Sequence, residues 1–266
     1  MSRTHRCLVI ENDPTDDPRR LGEWLVAAGL SLEVIQAHAG HPLPADLQGY
    51  AALVVLGGEQ HAFSAPDAEP AAPWFGELES LLRKAVRGGV PTLGVCLGAQ
   101  LLAVAHAGTV EPAAAGPEIG AHLVAKRDVA ERDPLFGPLP MLPDVIQWHL
   151  DEVTELPVGA VLLATSTKYQ NQAFRVGACA WGLQFHIECD TAMIADWAST
   201  SEPDLDALGT TAEAVVAGVD AVMDDVFEVW QPFATRFAAL ARGDLSLGEP
   251  TPPGPAPGRE LPLLGH

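Results

Sequence analysis

From His5 to Gly108 the chain alternates short apolar runs with segments of helical period, and turn residues close each one. That alternation constrains the fold more than any other feature. Parallel neighbours in a sheet need a crossover of a dozen or more residues, usually a helix. His5–Glu11 is a β run stopped by Asn12-Asp13-Pro14, and Arg19–Ala28 places Leu21, Trp24, Leu25 and Ala28 at helical spacing before Gly29. Leu32–Gln36 and Ala51–Leu56 read as strands, the latter running into Gly57-Gly58. Trp74–Arg87 is an amphipathic helix, Pro91–Val95 a fourth strand, and Gly98–Ala107 an apolar helix. The expected fold class is therefore α/β, a mostly parallel central sheet with helices on both faces.

Between Ile119 and Gln184 the pattern changes to short β-like runs at Ala121–Ala125, Leu139–Leu142, Ala160–Ser166, Ala173–Val176 and Ala180–Gln184. We expect these as antiparallel strands added to the same sheet. Thr191–Ser199 and Thr211–Ala241 read as helices, with Pro232 expected to kink or split the longer one. Residues 1–242 are expected to form one domain, with a core at 6–197 and a helical extension at 198–242. The stretch 243–266 is rich in proline and lacks a helical period, so it reads as an extended, poorly ordered tail. Trp230 and Phe233 are the positions where an apolar stripe would reveal an interface.

Charge excludes two partner classes. Fifteen Lys and Arg face 35 Asp and Glu, a formal net charge of −20, whereas nucleic acid and anionic membrane surfaces demand clustered cations. No apolar run approaches the roughly 20 residues of a membrane-spanning helix. The apolar stretch Cys7–Ile10 is shorter than the about 7–15 residues of a signal peptide core. Cys7, Cys96, Cys179 and Cys189 form no CxxC pair, which fits free thiols and a cytoplasmic location.

The sharpest chemical signal is Gly94-Val95-Cys96-Leu97-Gly98, a buried strand meeting a helix at a cysteine. Glycines two before and two after Cys96 permit a cramped turn that pushes the sulfur out of the sheet, and the helix N-terminus favours thiolate. The second signal is Trp181–Glu188, read as a strand ending in His-x-Glu. Residues two apart on a strand share a side, so His186 and Glu188 have the base and orienter relation of a catalytic triad. In the third, Gly57-Gly58 after a buried strand can offer backbone N–H groups to a developing oxyanion. His149, His186 and Glu188 are metal-ligand types, but their spacing demands no metal, and no cofactor is implied.

These segments together resemble the class I, triad-type glutamine amidotransferases, more closely their stand-alone GMP-synthase-like group. The resemblance covers Arg6 to Trp197. It rests on LGG (56–58), PWFGELESLLRKAV (73–86), GVPTLGVCLGAQLLA (89–103), GPEIG (116–120), QWHLDEVTELPVGAVLLATS (147–166), QAFRVG (172–177) and GLQFHIE (182–188). It implies a flavodoxin-like three-layer fold, Cys96 as nucleophile, His186 as base and Glu188 as its orienting partner. It further implies an oxyanion hole from the Gly58 and Leu97 amides, and substrate contacts at Gly57, Gln100, His149 and Asp151. The implied reaction is hydrolysis of the glutamine side-chain amide through a cysteinyl thioester, with ammonia passed to a separate synthase. Three positions depart from the family pattern. Glu59 stands where proline is frequent, Ile187 replaces the proline of His-Pro-Glu, and Leu150 replaces a glycine. From Thr191 onward no glycine-rich phosphate loop appears, so the expectation is a chain that cannot activate an acceptor by itself. The alternatives are a γ-glutamyl peptide or amine hydrolase with the same triad, and a catalytically idle regulatory or binding subunit.

Overall fold

A computed structural model describes residues 4–63 and 71–247; most of the tail expected at 243–266 lies outside them. The alternating first half folds as read. It comprises β1 (His5–Glu11), α1 (Arg19–Ala27), β2 (Leu30–Gln36), β3 (Tyr50–Val55), α2 (Phe75–Gly88), β4 (Thr92–Val95) and α3 (Leu97–Ala105). Three later strands join it, β10 (Val161–Thr165), β11 (Ala173–Val176) and β12 (Ala180–Leu183), with the two-residue β7 (Ala125–Lys126) at the far edge. The eight strands run in the order β2-β1-β3-β4-β12-β11-β10-β7. From β2 to β12 every pairing is parallel, and from β12 to β7 every pairing is antiparallel.

Strands covered on both faces are near-continuously apolar, because each side chain meets a helix whichever way it points. In β1, Cys7 and Val9 pack with Leu21 and Leu25 of α1, while Leu8 and Ile10 pack with Leu78 and Leu82 of α2. All four β1 side chains are fully buried. Two hydrophobic cores, one per sheet face, thus hold the three layers together.

The second half departs from expectation in three places. Only some of its β runs reach the sheet. β6 (Glu118–Leu123) and β8 (Asp144–His149) form their own antiparallel ribbon, as do β5 (Thr109–Pro112) and β9 (Asp151–Glu155). The β6–β8 ribbon buries Glu118, Gln147 and His149, polar groups that an apolar sheet face would leave without partners. Leu139–Leu142 is not a strand, since Pro140 and the following Pro143 remove ladder donors, and Met141 and Leu142 are exposed.

The last helices are α4 (Thr191–Thr200), α5 (Glu202–Ala207), α6 (Ala212–Asp220) and α7 (Met223–Arg242). Pro232 does not split α7; the break falls ten residues earlier, between α6 and α7. A mid-helix proline costs about 3 kcal/mol, and the flanking Trp230, Phe233 and Phe237 are all fully buried. Trp230 packs on Phe136, Phe185 and Phe233, and its indole N–H donates to the Asp144 carbonyl at 2.9 Å. The apolar stripe of α7 is therefore spent within the chain.

Backbone contact at the β4–α3 junction is very close. A Cβ on Gly98 would lie 2.1 Å from the Val55 carbonyl oxygen, and one on Gly94 would lie 2.5 Å from the Gly98 oxygen. Gly98→Ala should therefore cost about 1–3 kcal/mol, the range for overpacking a tight core. Gly76→Ala, on α2 with open space around it, should be neutral or stabilising by up to about 1 kcal/mol. Urea denaturation of the two variants checks the contrast.

Candidate active site

The C-terminal ends of β1, β3, β4 and β12 lie side by side, so the loops leaving them converge on one edge of the sheet, the usual place for ligands in open α/β folds. Cys96 occupies the turn from β4 into α3 with φ 48° and ψ −109°. Such a conformation is costly for any side chain and persists only when its surroundings impose it. Here the Cys96 amide donates to the Leu183 carbonyl at 2.7 Å, and its carbonyl accepts from the Ala99 and Gln100 amides. The glycine contacts described above let α3 sit directly on the sheet. Cys96 is 6% exposed. Its thiol donates to the Trp148 carbonyl at 3.7 Å and accepts from the Gln184 amide at 3.8 Å.

His186 is placed differently from the strand reading. β12 ends at Leu183, and the chain then bends. The His186 amide forms an isolated bridge to the Ile146 carbonyl of β8 at 2.8 Å. The ribbon, rather than strand alternation, thus sets the position of the ring. Its Nδ1 hydrogen-bonds the Glu188 carboxylate, whose other oxygen accepts from the Ile187 amide at 2.9 Å. His186 Nε2 is buried without a hydrogen-bond partner among the described residues. Trp197 of α4 packs edge-on against the imidazole, centroids 4.8 Å apart.

Burial pulls the His186 pKa down, yet the charges of Glu188 and Cys96 outweigh it and hold the imidazole well above its usual value. Burial likewise pushes Glu188 up, and the His186 charge more than compensates, leaving its carboxylate below the ordinary range.

Cys96, His186, Gly58, Gln100, His149 and Asp151 all line one cleft of about 320 Å³. Glu188 stands behind His186, fully buried. Gly57 and Leu97 are not on the cleft wall. A Cβ on Gly57 would strike Asp16 Oδ2 at 2.2 Å and approach His186 Cε1 at 3.2 Å, so that glycine makes room for two side chains that line the cleft. The Leu97 amide opens α3 and, like every first-turn N–H, has no intrahelical acceptor. Gln100 donates to the Asp151 carbonyl at 3.3 Å and to Gln184 Oε1 at 3.4 Å. His149 is held at both nitrogens, by the Asp151 carbonyl at 2.9 Å and by Glu118 at 3.0 Å. The Asp151 carboxylate pairs with His61 at 2.6 Å.

Sequence reasoning missed Gln184, Trp197 and Asp16. Gln184 sits within a quoted motif but carries no reactive group to draw attention. Trp197 reaches the site only through the fold. Asp16 belongs to the acid-rich turn after β1, whose position at the end of a buried strand was the available signal. Asp16, His186 and Glu188 bring three donor atoms within 4.8 Å of one another. Glu188 is already committed to the imidazole and to the Ile187 amide. That leaves too few open ligands for a metal centre, and His149, engaged elsewhere, does not join them.

A family model described as glutamine amidotransferase class-I matches residues 20–192. A glutamine-hydrolyzing GMP synthase of Christiangramia forsetii is 34% identical over 149 residues, spanning 56% of this chain and 26% of that protein. Gamma-glutamyl peptidase 4 of Arabidopsis thaliana is 31% identical over 157 residues, 58% of this chain and 60% of the peptidase. The chain thus matches less than two thirds of either relative. Among solved structures, a glutamine amidotransferase of Thermotoga maritima superposes with a TM-score of 0.76 at 26% identity, covering 88% of this chain and 98% of that one. One from Methylobacillus flagellatus, at 24% identity and a TM-score of 0.73, shares the fold over 97% of this chain and 99% of its own. With the family model matching well over half the residues, this chain belongs to the class I glutamine amidotransferase family.

Proposed function

We propose that the chain hydrolyses the side-chain amide of glutamine, with Cys96 as nucleophile, His186 as acid and base, and Glu188 as the group that orients His186. The observation that carries this reading is one cleft in which a strained, thiol-bearing turn faces a buried imidazole with an unpartnered Nε2. A raised His186 pKa, to which the Glu188 charge contributes most, keeps the ring protonated beside the sulfur, ready to act as the acid. The thiolate attacks the amide carbon, and the Gly58 and Leu97 amides receive the oxyanion. His186 then gives its proton to the departing ammonia, leaving a glutamyl thioester. Water, deprotonated by the same imidazole, adds to the thioester carbon, and glutamate leaves as the thiolate re-forms. Gln100, His149 and Asp151 shape the substrate end of the cleft, and Gly57, off the wall itself, leaves the room that Asp16 and His186 occupy. In this reading residues 1–242 work as one unit, and a separate synthase consumes the ammonia.

A second reading keeps the chemistry and changes the leaving group to the amine of a γ-glutamyl peptide or amine. It is supported by the likeness to γ-glutamyl peptidase 4 and by the wall of the cleft. That wall carries Asp16, Glu59, Asp151 and Asp204 and, among the described residues, no Lys or Arg.

The deciding experiment is intact mass after treatment with a glutamine-mimicking diazoketone. One adduct on Cys96, blocked by glutamine and absent in Cys96→Ser, is expected. Labelling of Cys96 by iodoacetamide but not by the diazoketone would favour the γ-glutamyl reading, and reaction with neither reagent would sink both. For Glu188→Gln, kcat should fall by roughly 10²–10⁴, the scale of misplacing the acid and base that Glu188 orients. Because the Glu188 charge raises the His186 pKa, its loss should also move the alkaline limb of the pH–rate profile to lower pH.

A further inference from the structure

The turn between β1 and α1 holds two acids in opposite circumstances. Asp13 is well served: its Oδ1 accepts from the Thr15 amide at 2.9 Å and the Thr15 hydroxyl at 2.8 Å, and its Oδ2 from Gln60 at 3.4 Å. Asp16, 2% exposed, has neither oxygen hydrogen-bonded by any N–H or O–H among the described residues. It lines the cleft next to Thr15 and lies close to the His186–Glu188 pair, in space that Gly57 leaves open. The titratable groups around it are Asp13 from its own turn, and His186, Glu188 and Cys189 from the segment after β12. Of these only His186 can be a cation, and its Nδ1 is already bonded to Glu188. Burial pushes the Cys189 thiol well up, so it adds no charge.

An ionised Asp16 would place a second buried carboxylate close to Glu188 with no donor among the described residues to hydrogen-bond it, a costly arrangement. A proton on Asp16 removes that charge and creates the one donor this corner lacks. We propose that Asp16 stays protonated and donates its hydrogen to the Glu188 carboxylate, acting as a positioning residue for the orienter of His186. Two acids sharing one proton is the usual outcome when carboxyl groups are forced together. Consistent with it, burial and then the Glu188 charge hold the Asp16 carboxyl well above its usual range. The inference rests on the triad reading only for its catalytic meaning; the protonation itself does not depend on substrate.

The test uses Asp16→Asn and Asp16→Ala in the full chain. Infrared difference spectra of wild type minus Asp16→Asn at neutral pH should contain a protonated-carboxyl carbonyl band that shifts in D2O; its absence overturns the proposal. Asp16→Ala should slow iodoacetamide alkylation of Cys96 by at least about tenfold, the scale of a lost hydrogen bond to a charged group. Asp16→Asn, which keeps an N–H donor there, should restore most of that rate, and an equal loss in both variants overturns the positioning role. Stability supplies a third readout. Because the folded-state pKa is raised, wild type loses stability as pH rises through the window above the ordinary Asp value. The stability of Asp16→Asn relative to wild type in urea should therefore increase between about pH 5 and pH 8; a flat difference counts against a buried proton. Should Cys96 alkylate no faster in wild type than in His186→Ala, the hydrolase reading falls, while the infrared band still decides for or against the Asp16 proton.

Discussion

The approach of Gly98 to the Val55 carbonyl is the constraint from which the rest of the site follows. With no Cβ at 94 or 98, helix α3 seats its first turn against the ends of β3 and β4. The chain can make that transition in one residue only by giving Cys96 a positive φ. The strain is offset by the hydrogen bond from the Cys96 amide to Leu183, which ties the turn to β12. Thiol, helix N-terminus and the strand that leads to His186 are thus fixed by one packing contact. A larger residue at 98 would displace all three together.

Electrostatics imposes the second organising demand. The site buries a thiol, an imidazole and two carboxyl groups within a chain of net charge −20, and among the described residues no Lys or Arg lines the cleft. In such surroundings the His186 imidazole is the partner that balances Glu188, and the pKa shifts of the two in opposite directions express their mutual dependence. Farther along the cleft the same economy recurs. His149 and Glu118 pair in the β6–β8 ribbon, and His61 and Asp151 pair at the mouth.

How much of this was legible in the sequence differs by region. The first half was readable because parallel strands and their crossover helices are local, and glycines mark the joints. Cys96 was readable for the same reason, its flanking glycines having a steric purpose that composition alone cannot mimic. His186 and Glu188 do hydrogen-bond each other, but strand alternation, the reason given for pairing them, is not what joins them. Two-residue periodicity does not reveal that β12 stops at Leu183 or that Ile146 holds the His186 amide. The ribbons β5–β9 and β6–β8 were illegible because strand partners distant in sequence leave no local trace. Asp16 was invisible as more than a turn acid, since its meaning lies in missing donors, which only the folded surroundings disclose.

The sheet order carries a consequence for biosynthesis. β12 is the last strand in sequence among the described residues, yet it is inserted between β4 and β11. While the chain emerges from the ribosome, β1 to β4 can pair as a unit, but β4 keeps an open edge until residue 183 arrives. Such a long-range closure is slow, and unpaired parallel edges are prone to wrong association. The nascent chain therefore carries the strained Cys96 turn beside an unprotected sheet edge from residue 96 until residue 183 arrives, an interval in which a holding chaperone would matter most.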